Sequence, residues 1–184
     1  MNKNRTQKII SCALFVTLIT IGAFIKIPVP IVPFTLQFLF TMLAGLLLGA
    51  KTGSISVFVY ILMGLIGLPV FSEGGGFAYV LKPSFGYIIG FAVATFVTGK
   101  IANSVPNPSY KRLLIANFTG LFIVYLFGMI YYYMISNFYL GNPIGLWTLF
   151  LYCFILAIPG DILLCIIGAV LGKRLIPLIK KNMV

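Results

Sequence analysis

The 184 residues contain two carboxylate side chains, Glu73 and Asp161. Asp161 stands midway along an apolar run, WTLFLYCFILAIPGDILLCIIGAVLG, at residues 147–172. A charge at the centre of such a segment costs about 2.5–3.5 kcal/mol on insertion scales, so it faces a cavity or a partner rather than lipid. The chemistry open to it is narrow. An acid dyad needs two carboxylates in one site, and Glu73 belongs to a different, glycine-rich segment. A proton relay runs along chains of Asp, Glu and His, and the chain has no histidine. Neither G-x-x-x-x-G-K-[ST] nor H-E-x-x-H occurs, so the chain is expected neither to hydrolyse ATP nor to hold a catalytic zinc. Cys12, Cys153 and Cys165 lie in apolar runs without C-x-x-C spacing, as packing residues rather than a disulfide or metal framework. What is left for Asp161 is hydrogen bonding, either within a functional site in the interior or as a strut against Asn117 or a backbone N–H. Pro159 and Gly160, just before it, can bend or open a helix and aim freed carbonyls at the same spot.

Three other groups of residues carry polar or aromatic chemistry. In PVFSEGGGFAYVLKPSFGY, Gly74, Gly75 and Gly76 allow backbone conformations closed to other residues, so this segment can fold over a site. Tyr79, Phe85 and Tyr87 offer aromatic surfaces there, and Lys82 and Glu73 are its charges; the same composition also suits an interfacial loop with an aromatic belt. In VPIVPFTLQF, Phe34 and Thr35 precede a helix start, where Thr35 can cap orphan N–H groups. Gln37 lies inside that helix, where an amide in lipid needs a partner. Asn117 poses the same question further on, and Trp147 opens the run that holds Asp161.

The elements that position these residues follow from composition. With 61% hydrophobic and 8% charged residues, the chain is far from the soluble norm of about 45–50% and 25%, and its apolar runs approach the 17–25 residues of a membrane span. The expectation is a single all-α, membrane-embedded domain of residues 1–184 with six transmembrane helices near 9–25, 36–50, 53–68, 84–102, 113–135 and 147–171. Pro28, Pro30 and Pro33 end the first, and Lys51 and Thr52 turn between the second and third. The basic start followed by apolar residues from Ile9 is similar to a signal peptide, but lacks a small-x-small cleavage site and is read as a retained first span. The net charge of +11 is not a nucleic-acid footprint, because its residues cluster at the ends of apolar runs. With six spans, eleven of the 13 Lys and Arg residues fall on one side, Lys26 and Lys82 being the exceptions, which makes both termini cytoplasmic. The long, proline-, glycine- and aromatic-rich connections then lie outside, where a ligand is met.

Taken in order, VPIVPFTLQ (29–37), GLPVFSEGGGFAYVLKPSFGYIIGF (67–91) and IPGDI (158–162) resemble the BioY family, the biotin-specific substrate-binding (S) components of energy-coupling-factor transporters. The resemblance covers nearly the whole chain. It implies no enzyme and no cofactor. It implies capture of biotin from outside at a bacterial-type plasma membrane, with import through a transmembrane T component and two ATPases. A carboxylate such as Asp161 suits ureido N–H donors, the aromatics Tyr79, Phe85, Tyr87 and Trp147 suit the bicyclic ring, and Lys82 suits either the ureido carbonyl or the carboxylate tail. Phe34, Thr35, Gln37, Asn117, Gly75 and Gly76 complete the expected site. S components carry small residues four apart on the first span for the T component. Ala13 and Thr17 hold that spacing here, where the usual pair is Ala with Ala. A related S component for another vitamin, a facilitator without ATPases and a scaffold in which Asp161 is only a strut remain the alternatives.

Overall fold

A computed structural model describes residues 3–27 and 33–183. The expected helix-breaking role of Pro28 and Pro30 lies outside the described residues. The first helix, α1 (Lys3–Phe24), leads into a two-residue antiparallel pair, β1 (Lys26–Ile27) and β2 (Phe34–Thr35), with Lys26 opposite Thr35. Then come α2 (Gln37–Leu65), a 3-10 turn (Phe77–Leu81), α3 (Phe85–Ala102) and α4 (Tyr110–Met134). A π turn (Ile135–Tyr139), the short α5 (Leu146–Phe150), a second π turn (Leu151–Ile155) and α6 (Ile158–Met183) complete the chain. Ser109 caps α4, its hydroxyl accepting from the Arg112 amide at 3.3 Å, which satisfies one of the orphan donors of the first turn.

Among the described residues, five helical stretches are long and apolar enough to cross a membrane: Arg5–Phe24, Gln37–Leu65, Phe85–Ala102, Tyr110–Tyr139 and Leu146–Ile179. The expected second and third spans are the two limbs of α2, joined at a break that sits earlier than expected, since Lys51 and Thr52 stay helical. Gly49 alone leaves helical geometry, with φ 80° and ψ 174°, a conformation open to glycine and closed to most side chains. The break reverses the chain. Gln37 Nε2 donates to Tyr60 Oη at 2.7 Å, although 23 residues of straight helix would hold these groups roughly 34 Å apart. The two limbs of α2 therefore lie side by side. Gly53 has no room for a side chain, since a Cβ there would come 2.6 Å from the Ala44 carbonyl oxygen.

Lipid gives helices no hydrophobic reason to associate, so close packing and interhelical hydrogen bonds must do it. Both are present. A Cβ on Gly45 would stand 2.5 Å from the Thr95 carbonyl oxygen, and one on Gly99 2.6 Å from the Ala50 nitrogen, so α2 and α3 touch backbone to backbone. Thr95 Oγ1 donates to Thr41 O at 3.0 Å, Thr98 Oγ1 to Ala116 O at 3.1 Å and Asn117 Nδ2 to Cys165 O at 2.8 Å. The same contacts sort the bundle's ends. Near the reversal, Cys12 Sγ approaches Thr52 O at 3.7 Å, Asn103 Nδ2 reaches Leu46 O at 3.1 Å and Lys173 Nζ donates to Pro108 O at 3.0 Å. Lys51, Lys100, Lys111, Arg112 and Lys173 thus gather at one end. Lys26, Glu73 and Lys82 belong to the other, where Lys26 Nζ donates to Ser72 O at 3.1 Å.

The backbone contact between α2 and α3 predicts that Gly45→Ala destabilises the protein by about 1–3 kcal/mol, the usual cost of overpacking. A thermal melt in detergent measures it. Gly145→Ala is the control, since its methyl would meet nothing closer than Thr148 Oγ1 at 3.9 Å. Equal melting temperatures for the two variants would contradict the packing described.

Candidate functional site

At the end of the bundle opposite the basic cluster, residues from nearly every element close around a cavity. The β2 segment contributes Phe34 and Thr35, α2 contributes Gln37 and Phe38, and α3 contributes Tyr87, Ile88 and Phe91. Val124 and Tyr125 come from α4, Tyr152 and Cys153 from the second π turn, and Asp161 from the first turn of α6. Ser72 and Tyr79 of the 66–84 connection, with Ser84, complete the wall.

Asp161 is set in place from two sides. Its backbone amide donates to Ala157 O at 3.2 Å, which starts α6 after the π turn. Its carboxylate accepts from the Tyr125 hydroxyl, Oη to Oδ2 at 2.5 Å. A position in the first turn also suits an anion, because unpaired amides there carry partial positive charge. Gln37 is held in a parallel way: it donates to Tyr60 Oη, and Tyr60 in turn donates to Val70 O at 3.1 Å. Asp161 and Gln37 are 9% and 4% exposed, and among the described residues no protein group bonds to Oδ1 of Asp161 or to Oε1 of Gln37. Two acceptors therefore face a cavity walled by aromatic rings. Gly160 makes room for one of them, since a Cβ there would stand 2.7 Å from the Phe34 ring.

The 66–84 connection is folded over this end and tied down repeatedly. Gly76 donates to Gly64 O at 2.7 Å, Tyr131 Oη donates to Val80 O at 2.5 Å, and Phe71 pairs with Gly74 as an isolated bridge. Lys82 lies 3.0 Å from Glu73 Oε2 and 4.9 Å from the centroid of the Tyr79 ring. With Lys82 and Glu73 both about two-fifths exposed, the pair closes the loop from its solvent side.

Of the residues singled out in the sequence, the cavity brings together Phe34, Thr35, Gln37, Tyr79, Tyr87 and Asp161. The others stand elsewhere. Phe85 backs the wall, its ring 6.4 Å from that of Tyr79 and 6.1 Å from that of Tyr131. Gly75 and Gly76 fold the connection onto the end of α2 instead of onto the cavity: a Cβ on Gly75 would meet Leu68 O at 2.1 Å, and Gly76 has φ 106°. Trp147 is 71% exposed on the outside of the bundle, as an interfacial tryptophan is. Asn117 lies two turns of α4 below Tyr125, roughly 12 Å along the axis, and bonds to Cys165 O instead of Asp161. Lys82 sits at the rim. Ala13 and Thr17 lie on an exposed face of α1, with the Thr17 hydroxyl turned back to Ala13 O at 3.1 Å.

Sequence reasoning missed Tyr125. Its signal was present: it falls on the buried stripe Asn117, Leu121, Val124, Tyr125 and Gly128 of α4, and a hydroxyl at that depth needs a partner.

A family model described as the BioY family matches residues 1–181. A protein of Lysinibacillus sphaericus named a probable biotin transporter BioY is 45% identical over 175 residues, which span 95% of this chain and 89% of that one. The biotin transporter BioY of Lactococcus lactis subsp. cremoris is 35% identical over 182 residues, 95% and 94% of the two chains. Among solved structures, the S-component for biotin from an ECF-type ABC transporter superposes with a TM-score of 0.80 at 32% identity, across 95% of this chain and 94% of its own. Sequence, family model and three-dimensional fold agree over almost the full length, and the chain belongs to the BioY family.

Proposed function

We propose that this protein captures biotin in the cavity around Asp161 and delivers it inward as the S component of an ECF-type ABC importer, joined to a transmembrane T component and two ATPases. One observation carries the reading: the buried polar groups are two prefixed acceptors, Asp161 and Gln37, inside an aromatic wall. A cyclic urea offers two N–H donors, and a thioether ring suits the aromatic surfaces. A charge-assisted bond to Asp161 is about twice as strong as a neutral one. The carboxylate tail then points to the rim, where Lys82 already binds one carboxylate, that of Glu73, and exchanges it for the ligand's. Ala13 and Thr17, outward-facing on α1, offer the close-packing face for the T component.

In this reading the two limbs of α2 cross the membrane separately, giving six crossings with both termini in the cytoplasm. Support comes from the reversal at Gly49 and from the gathering of basic residues at one end, which the positive-inside rule makes cytoplasmic. The cavity then opens outward. On a background without the three native cysteines, single Lys51→Cys and Lys111→Cys variants should resist a membrane-impermeant thiol reagent applied to intact cells, whereas Asn142→Cys should react. Reaction of all three from outside would remove the six-crossing arrangement.

For the ligand, Asp161→Asn should weaken biotin binding at least about tenfold, because a charged acceptor contributes about 1.5–3 kcal/mol, while the protein stays folded. Titration of ligand-free protein in detergent measures this. Unchanged affinity would take Asp161 out of the site, and a larger thermal shift with another vitamin would replace biotin as the ligand.

A further inference from the structure

We propose that Tyr125 is the positioning residue of the cavity: its hydroxyl holds Oδ2 of Asp161 so that Oδ1 is the oxygen presented to a ligand. The identity of that ligand rests on the biotin reading; the clamp itself does not.

The geometry is one-sided. Tyr125 is 4% exposed, and its ring is wedged edge-on between Tyr87, at 6.3 Å and 84°, and Phe154, at 5.0 Å and 73°. These contacts fix where its hydroxyl lies before anything enters the cavity. The neighbouring tyrosine does not share the task, because Tyr87 Oη is directed to Cys153 O at 3.4 Å. Among the described residues, Tyr125 is the one side chain bonded to the Asp161 carboxylate. The torsion that turns a carboxylate about its last bond is broad and nearly two-fold, so an unclamped Asp161 would present either oxygen in many orientations. The Tyr125 bond selects one. A ligand N–H then meets an acceptor already oriented, and binding does not bear the cost of ordering it.

A merely structural tyrosine would stabilise the bundle without acting through Asp161, and a double-mutant cycle separates the two roles. Tyr125→Phe keeps the ring and its packing and removes only the hydroxyl. The expected result is a loss of biotin affinity of about tenfold, or about 1.4 kcal/mol, in the presence of Asp161. In the Asp161→Ala background the same change should have less than about a twofold effect, the two sites being coupled. Equal losses in both backgrounds would mean that Tyr125 acts by packing, and the proposal falls. Infrared spectra of the ligand-free protein give an independent readout. With only two carboxylate side chains in the sequence, the side-chain carboxylate band lost in Asp161→Ala belongs to Asp161, and Tyr125→Phe should shift it. An unmoved band overturns the clamp. If wild-type protein fails to bind biotin, the functional reading fails instead, and the infrared result still decides the clamp.

Discussion

A polar side chain inside a bilayer finds no water, so its partner must come from the protein. In this bundle the most demanding such group is the Asp161 carboxylate, and its bond to Tyr125 organises what surrounds it. Tyr125 belongs to α4 and Asp161 to the first turn of α6, while the Tyr125 ring rests on Tyr87 of α3 and Phe154 of the second π turn. One tyrosine therefore joins four elements, α4 to α6 by its hydrogen bond and α4 to α3 and the second π turn by its ring. Removing one member of such a pair costs more than the bond contributes on balance, because the other is left buried and unsatisfied.

Glycines bring the helices together in two ways. Near the basic end, a Cβ on Gly45, Gly53 or Gly99 would collide with backbone atoms of Thr95, Ala44 or Ala50. Helices there meet main chain to main chain. Toward the cavity, Gly64, Gly128 and Gly160 accept the rings of Phe71, Tyr87 and Phe34, while Gly86 brings α3 against the Phe127 carbonyl of α4. Two of the rings seated on these glycines, Tyr87 and Phe34, line the cavity.

Much of this was legible in the sequence. Asp161 announced itself by cost, and Gln37 by the need of a buried amide for a partner; both line the cavity. The helical content and the long connections followed from hydropathy and from proline and glycine placement. The sequence places a turn between the limbs of α2 at Lys51–Thr52, and the break falls just before it at Gly49, because one glycine among 19 is a weaker signal than a polar pair. Residue type alone points to Asn117 and Trp147 as well, but neither lines the cavity: Asn117 stands deeper along α4 and Trp147 is exposed on the outside. Residue type cannot report depth: Asn117 and Tyr125 share a face of α4, yet only the upper one reaches Asp161. Gly75 and Gly76 are conformationally special for a different reason, since they dock the connection on Gly64 and Leu68.

The two acceptors of the cavity are built on one plan. Each of Asp161 and Gln37 commits one polar atom to a tyrosine hydroxyl, Tyr125 or Tyr60, and leaves one oxygen without a partner among the described residues. Tyr60 in turn donates a hydrogen bond to Val70 O, so the plan also couples Gln37 to the connection that covers the site. Both side chains are thus held in place before a ligand arrives. Immobilising acceptors in advance reduces the ordering cost of association and penalises ligands that lack matching N–H groups, since each unmatched acceptor stays buried without a partner. Such a site discriminates by what it leaves unsatisfied. That suits a transporter of the BioY family, which binds its substrate without changing it.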